Sequence, residues 1–142
     1  STTKAGANTN RDININIASS YINGKILQPN EKFSFWDTVG KCTYDKGYKD
    51  ATVYSNGKKT KGIGGGVCQV STTVNMAVKS AGIKTNARQH SLPVSYASRE
   101  DEATVSFGNI DFKFTNTTGK TIMLVMGAVD GSCTCEVWAK YE

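Results

Sequence analysis

The sequence predicts an α+β fold in which a buried, cysteine-bearing helix packs on a mostly antiparallel β-sheet, with an additional helix near the N-terminus. Helical spacing of apolar residues is confined to the first 81 residues, and strand-like segments joined mostly by short turns follow. This order is typical of α+β proteins. The 142 residues show no internal repeat and no break in composition, so we expect a single domain over residues 1–142.

The N-terminal third contains one helix and then short strands. In residues 10–21 isoleucines alternate with asparagines, as in a strand, but the apolar residues also recur at helical spacing and Asn23-Gly24 follow as a helix C-cap. We favour the helix. Pro29-Asn30 predict a turn, residues 32–36 a strand with alternating phenylalanines, and residues 48–54 a further short strand.

Residues 67–81 form the clearest predicted helix, and most of the remaining chain is predicted as strands. The helix has apolar residues at helical spacing and ends before Gly82. The predicted strands are 83–93, which ends at Pro93, then 104–107, 112–114, 121–129 and 135–141, with turns at Gly108-Asn109, Thr118-Gly119 and Asp130-Gly131.

The charge balance is mildly basic. The chain has 17 basic and 12 acidic side chains, and the basic ones are dispersed apart from Lys58, Lys59 and Lys61. No basic stripe interleaved with aromatic residues is present, which argues against nucleic acid as a partner. A weak positive field suits an anionic partner, such as a cell-wall polymer or a carboxylate substrate, and also serves solubility.

The chain contains no predicted membrane span and no signal peptide. No apolar run reaches the ~20 residues that cross a bilayer, and the first ten residues lack an apolar core.

Four cysteines are present: Cys42, Cys68, Cys133 and Cys135. If Cys68 is reserved for chemistry, the other three can form at most one disulfide. A bridge between Cys133 and Cys135 would be strained, so a bridge from Cys42 to one of them is favoured. The spacing of three cysteines and one histidine matches no standard zinc pattern, and we expect no metal or other cofactor.

The segment 62–73, GIGGGVCQVSTT, carries the strongest chemical signal. Its glycines lead to Cys68 at the start of the predicted helix, where the positive end of the helix dipole favours a thiolate. Glycines also let a substrate backbone approach closely. His90 is the only histidine and therefore the only candidate imidazole base. Candidates to orient it are Asp101, Glu102, Asn109 and Asp111.

The same region offers candidates for binding the oxyanion and the substrate. The backbone N–H groups from Val67 to Gln69 and the Gln69 amide are suited to an oxyanion, and Arg88, predicted on the strand face of His90, is suited to a carboxylate. A surface ion pair is the ordinary alternative for Arg88, and core filling is the alternative for Cys68. The residues that we assign to oxyanion or substrate binding are Gly65, Gly66, Val67, Gln69, Ser71, Thr72, Arg88, Ser91 and Tyr96.

The chain resembles a VanW domain over nearly its whole length. The segments that carry the resemblance are RDINI at 11–15, ING at 22–24, PNEKFSF at 29–35, GYKDA at 47–51, GGGVCQVSTT at 64–73, HSLPVSY at 90–96, and DFKF at 111–114 with Asn116. Where the family usually has Asp-Ala-Thr-Val, this chain has Glu102-Ala103-Thr104-Val105. Asp111 therefore ranks at least as high as Glu102 as the residue that orients His90.

The resemblance implies that this domain is part of a longer envelope protein. Such proteins occur largely in Gram-positive bacteria, and we expect this one at the extracellular, cell-wall face of the envelope. Family members have been linked to glycopeptide resistance and to L,D-transpeptidation. In that reaction Cys68 attacks a tetrapeptide stem, D-Ala leaves, and the amine of a second stem accepts the acyl group to form a 3-3 cross-link, with His90 as base. The alternatives are a cysteine peptidase or amidase that cuts stem peptides, and a non-catalytic wall- or glycopeptide-binding module. We expect a monomer with peptidoglycan stem peptides as partners.

Overall fold

The computed structural model describes residues 1–6, 8–55 and 57–140. Its helices and strands are, in chain order, β1 (Thr2–Lys4), α1 (Thr9–Ile22), β2 (Lys25–Leu27), β3 (Lys32–Ser34), α2 (Phe35–Val39), β4 (Asp50–Ser55), β5 (Lys58–Ile63), α3 (Val67–Ser80), β6 (Lys113–Thr115), β7 (Ile122–Val129) and β8 (Ser132–Ala139). Every strand pairing among these residues is antiparallel. The predicted α+β class is therefore confirmed.

The core lies between the main sheet and two helices. The sheet has the strand order β1-β8-β7-β2, and its long hairpin β7–β8 turns at Asp130 and Gly131, both with positive φ. Alternate residues of β7 and β8 face inward and are buried, as the period of a strand requires. Helix α1 packs on β7, α3 packs on β8, and the two helices contact each other.

Helix α1 confirms the helical interpretation of residues 10–21. Asn8 is its N-cap and accepts a hydrogen bond from the Arg11 N–H. The buried residues recur every three or four positions and are Asn14, Ile15, Ala18, Ser19 and Ile22. One face of the helix, rather than every second residue, therefore packs against the core. No helix among the described residues is long and apolar enough to cross a membrane.

The predicted strand over 32–36 is correct only as far as Ser34. The Ser34 side chain accepts a hydrogen bond from the Asp37 N–H and caps α2. The carboxylate of Asp111 accepts from the Ser34 hydroxyl and the Trp36 N–H. Phe33 and Phe35 are both buried, as their alternation predicts. The strand nevertheless ends at Ser34, because Ser34 caps a helix that begins at Phe35.

Two strand pairs lie apart from the main sheet. Strand β3 pairs with β6, close to the predicted strand at 112–114. Strand β4 begins two residues after the start of the strand predicted over 48–54 and ends one residue beyond it. Its lysine-rich partner β5 is not among the predicted strands. Strand β8 begins before the predicted segment 135–141, of which Tyr141 lies outside the described residues.

The predicted strands 83–93 and 104–107 are wrong. This part of the chain is irregular, with only isolated bridges at Thr85–Phe114 and Ser106–Ile110. Side chains of α3 hold it instead: Ser71 donates to the Ala103 carbonyl, and Thr72 accepts from the Ala103 N–H at 3.0 Å. Hydrogen bonds to a helix thus replace a sheet ladder, and we call residues 88–105 the α3 loop.

The four cysteines are free thiols. Cys42 lies beside Gly64, where a Cβ built on the glycine would be 2.9 Å from its Sγ. Cys133 and Cys135 face the core from β8, and Cys133 Sγ lies 3.7 Å from the Ser19 hydroxyl. The expected bridge from Cys42 to β8 is therefore not made. Burial raises the pKa of all three thiols, that of Cys135 to about 12.

Candidate active site

The glycine run before Cys68 packs against the chain itself. A Cβ on Gly65 would lie 2.5 Å from the Ala51 carbonyl carbon. A Cβ on Gly66, whose φ is +107°, would lie 2.7 Å from Arg11 Cγ. Gly64 and Gly65 are buried. The predicted role of these glycines, close approach of a substrate backbone, is replaced by close approach of α1 and β4.

Asn14, on helix α1, holds the turn formed by Gly64, Gly65 and Gly66, which we call the glycine turn. Its side-chain amide donates to the Lys49 and Gly65 carbonyls, each at 2.9 Å, and its carbonyl oxygen accepts from the Lys49 N–H at 2.8 Å. The side chain is buried and its polar atoms are paired. The start of α3 is therefore held rigidly to α1 and to the chain that leads into β4.

Cys68 is the second residue of α3 and faces the α3 loop. The Val105 N–H donates to its Sγ at 3.5 Å, and the Thr104 hydroxyl lies 3.8 Å from the same atom. Sγ also lies 3.4 Å from the Val105 carbonyl. The Val105 N–H, the Thr104 hydroxyl and the helix N-terminus favour negative charge on sulfur.

His90 sits between Glu102 and the thiol. Its Nδ1 lies 2.7 Å from Glu102 Oε1, which also accepts from the His90 backbone N–H at 2.8 Å. Both side chains are buried. With Nδ1 bound to the carboxylate, Nε2 is the nitrogen that faces Tyr96 OH, at 3.4 Å, and that is left for the thiol.

The thiol and the imidazole shift each other's pKa in opposite directions. Burial raises the pKa of Cys68, but a hydrogen bond to His90 and the charge of its ring outweigh burial and bring the pKa below its ordinary value. Burial lowers the pKa of His90, but the Cys68 and Glu102 interactions outweigh it and raise the pKa. Both directions favour a thiolate–imidazolium pair.

Glu102, not Asp111, is the acidic residue beside His90. The Asp111 carboxylate binds Ser34 and Trp36 at the start of α2, so it is committed to capping. Of the other candidates, Asp101 pairs with Lys79 at 3.2 Å, and Asn109 is exposed in the turn after Ser106.

The candidate donors to an oxyanion do not all lie at the thiol. The Gln69 amide is fully buried and donates to the Gly131 carbonyl at 3.0 Å, so it lies in the core and not at the thiol. The N–H groups of Val67 and Gln69 bond to the carbonyls of Gly64 and Gly66. Among the described residues no backbone acceptor is found for the Cys68 N–H, which makes it a candidate donor to an oxyanion.

Four residues that were predicted to bind substrate, namely Ser71, Thr72, Arg88 and Ser91, have different positions or contacts in the structure. Ser71 and Thr72 are buried and hold Ala103, so they position the α3 loop and not a substrate. Arg88 and Ser91 are exposed on an irregular segment, and Arg88 accepts from the Thr104 N–H through its backbone carbonyl. The strand face that Arg88 was expected to share with His90 does not exist.

Two arginines at the site were not identified as site residues from the sequence. Arg99 Nη1 lies 3.4 Å from Glu102 Oε2 and 3.5 Å from Oε1, the oxygen that also contacts the imidazole. Arg11 lies over the Tyr96 ring at 5.5 Å from its centroid and packs its stem against Gly66. The segment 11–15 was noted only for its resemblance, and nothing in the spacing of Arg99 and His90 indicates that both contact Glu102.

No group of three or more metal-ligating side chains occurs among residues 1–6, 8–55 and 57–140. The site itself consists of a thiol at a helix N-terminus, an imidazole, a buried carboxylate that orients the ring, and a backbone donor. This set is suited to attack on a carbonyl carbon.

Comparison with known proteins places the chain in one family. A protein called YoaR from Bacillus subtilis (strain 168), described as uncharacterized, is 39% identical over 127 residues, which cover 89% of this chain and 42% of YoaR. The vancomycin B-type resistance protein VanW of Enterococcus faecalis is 30% identical over 142 residues, which cover 94% of this chain and 46% of that protein. The chain thus spans less than half the length of each relative. No solved structure matches it.

The family model described as VanW like protein matches residues 10–138, which include Cys68, His90 and Glu102. The chain belongs to the VanW family.

Proposed function

We propose that this domain is a cysteine-dependent acyltransferase, an L,D-transpeptidase that forms 3-3 cross-links between peptidoglycan stem peptides. The observation that carries the proposal is the position of the buried His90 ring, 2.7 Å from Glu102 on one side and hydrogen-bonded to Cys68 on the other. A relative named for vancomycin resistance supports a substrate in the cell wall.

The first half-reaction is acylation of Cys68. The thiolate attacks the carbonyl carbon that precedes the terminal D-Ala of a tetrapeptide stem, and a C–S bond forms. The tetrahedral oxyanion accepts a hydrogen bond from the Cys68 N–H. The C–N bond then breaks, and the His90 imidazolium gives its Nε2 proton to the departing amine of D-Ala. A thioester and a neutral imidazole remain.

The second half-reaction transfers the acyl group. The side-chain amine of the diamino acid in a second stem attacks the thioester carbonyl and gives a proton to His90 Nε2. The C–S bond breaks, the new amide forms the cross-link, and the thiolate–imidazolium pair is restored. A thioester suits this exchange because it remains reactive toward amines.

Glu102 acts through His90 as a positioning residue. Its carboxylate fixes the ring orientation, keeps the proton of the neutral ring on Nδ1, and stabilises the imidazolium. Arg99, at 3.4 Å, and the His90 N–H hold that carboxylate in turn. The proposal places the domain at the extracellular, cell-wall face of a Gram-positive envelope, as part of a longer protein.

Product analysis tests the proposal. The purified chain is incubated with a disaccharide-tetrapeptide, and the products are separated and identified by mass spectrometry. We expect cross-linked dimers with loss of one D-Ala per bond, and none with the Cys68→Ala variant.

The other reaction classes give different products. Disaccharide-tripeptide without dimers identifies a peptidase that uses water as the acceptor. Unchanged substrate that is nevertheless retained by the protein identifies a binding module. Dimers formed equally by Cys68→Ala contradict the mechanism.

A further inference from the structure

A basic cleft lies beside the β3–β6 ribbon, and its lining includes residues of both strands. Its volume is about 830 Å³, and its lining includes Lys25, Lys32, Lys84 and Lys113. These lysines are dispersed in the sequence, so their convergence is a property of the fold. Neither Cys68 nor His90 lines the cleft, and the inference does not depend on the proposed reaction.

Strand register places two of the lysines on one face. Phe33 pairs with Phe114, and both are buried. Lys32 pairs with Thr115, and Ser34 pairs with Lys113. Because successive side chains of a strand point to opposite faces, Lys32 and Lys113 project together, away from the core.

Lys84 joins them from a third extended segment. Thr85 forms a bridge with Phe114 and donates inward to Asn75. Its neighbour Lys84 therefore projects to the same side as Lys113. The Lys113 N–H donates to the Asn86 side chain at 2.7 Å, which secures this segment along the edge of β6.

The four ammonium groups are not neutralised by the protein. No ion pair involves any of them among the described residues, and the acidic residue that lines the cleft is Asp37. A smaller hollow of about 540 Å³ shares Lys84, but its Lys79 pairs with Asp101. Clustered like charges repel one another, and a concave surface focuses their field on an incoming anion.

The chemistry of the lining selects the kind of anion. Lysine binds phosphate as a point charge, whereas the arginine fork that favours bidentate carboxylates is absent from the lining. Strands lie about 4.8 Å apart, so Lys32 and Lys84, two segments apart, are separated by roughly 10 Å across the cleft. That spacing suits several charges of an extended chain better than one small ion.

Nucleic acid fits the cleft less well than a phosphate polymer without bases. Single-stranded nucleic acids bind through exposed aromatic rings on which the bases stack. The aromatic residues of this cleft, Phe33 and Phe114, are 1% and 5% exposed. We infer that the cleft binds a linear phosphodiester polymer that carries no bases, of the polyol-phosphate type.

Calorimetry with poly(glycerol phosphate) tests the inference. We expect saturable binding by the whole chain and at least about a tenfold loss of affinity in the triple variant K32Q/K84Q/K113Q, because three phosphate contacts are removed. The slope of log Kd against log salt should fall by about 2, since each contact contributes about 0.7. The matched control K4Q/K58Q/K61Q removes the same charge from other surfaces and should stay within about twofold of the parent.

Specific outcomes overturn the inference. Equal losses in the two triple variants would mean that only net charge matters. Equally tight binding of poly-glutamate would remove the preference for phosphate, and tighter binding of an oligothymidylate would indicate a nucleic-acid site. Absence of binding to poly(glycerol phosphate) at low salt would reject the cleft as a site. Circular dichroism of both variants, whose substituted residues are mostly exposed, checks that the fold is retained.

Discussion

The Cys68 thiol and the His90 imidazole change each other's proton affinity. The pKa of the thiol is lowered and that of the imidazole is raised, so the ion pair persists between the two values. Below the lowered pKa of Cys68 the thiolate is lost, and above the raised pKa of His90 the general acid is lost. A bell-shaped dependence of acylation on pH follows.

Alkylation of Cys68 by iodoacetamide should follow this shift. The rate should reach half its maximum at a pH below the ordinary thiol value of about 8.5. In His90→Gln the midpoint should move up, because the hydrogen bond and the positive charge that lower the pKa are lost. Peptide mass spectrometry measures the rate at each pH, and Cys42, whose pKa is raised by burial, serves as the slow internal control. An unchanged midpoint in His90→Gln would contradict the coupling.

Glu102 and Asp111 should have separable roles. Glu102→Gln should lower the acylation rate by up to about 10⁴-fold, the loss found when the carboxylate of the Ser-His-Asp triad is neutralised, and should shift the pH profile of alkylation. Glu102→Asp keeps the charge and should recover part of the rate. A purely structural role for Glu102 predicts lower stability with an unchanged profile.

Asp111→Asn is the matched carboxylate control. Its carboxylate bonds to Ser34 and Trp36, so the variant should lose about 1.5–3 kcal/mol of unfolding free energy and keep the parent pH profile of alkylation. Urea denaturation and the alkylation assay measure the two effects. A shifted profile in Asp111→Asn would show that Asp111 also acts on His90.

At the scale of elements, the start of α3 determines the site. Asn14 and the glycine turn fix its position, and Ser71 and Thr72 fix the α3 loop that carries Glu102. The strong apolar periodicity of residues 67–81 made this helix predictable. The loop was not predictable, because α3 side chains bond its backbone and thereby replace the strand ladder that its composition suggests.

Gly65→Ala tests the packing of the glycine turn. The new Cβ would meet the Ala51 carbonyl at 2.5–2.6 Å, so the backbone must shift, and we expect a loss of about 3 kcal/mol or more in unfolding free energy. Gly6→Ala, which meets nothing within 4 Å, should be nearly neutral. Thermal and urea denaturation compare the two variants. A neutral effect of Gly65→Ala would show that the turn tolerates a side chain.

At the scale of the whole molecule, the fold brings together groups that are distant in sequence. Cys68, His90 and the turn between β7 and β8 were predictable as local features, whereas the choice of Glu102 over Asp111 depends on the path of the α3 loop. The grouping of lysines in the basic cleft likewise depends on the fold and not on local sequence. The sequence showed only a dispersed positive charge, and the register of β3 with β6 concentrates part of it in one cleft.

Trapping of the acyl-enzyme tests the central claim, that His90 and Glu102 activate Cys68 for attack on a peptide carbonyl. The chain is mixed with disaccharide-tetrapeptide, quenched in acid, and analysed by intact-mass and peptide mass spectrometry. We predict an adduct on Cys68 equal in mass to the donor without D-Ala, sensitive to hydroxylamine, and strongly reduced in His90→Gln. If parent and His90→Gln proteins acylate at the same rate, or if the adduct forms at another residue, the account is contradicted.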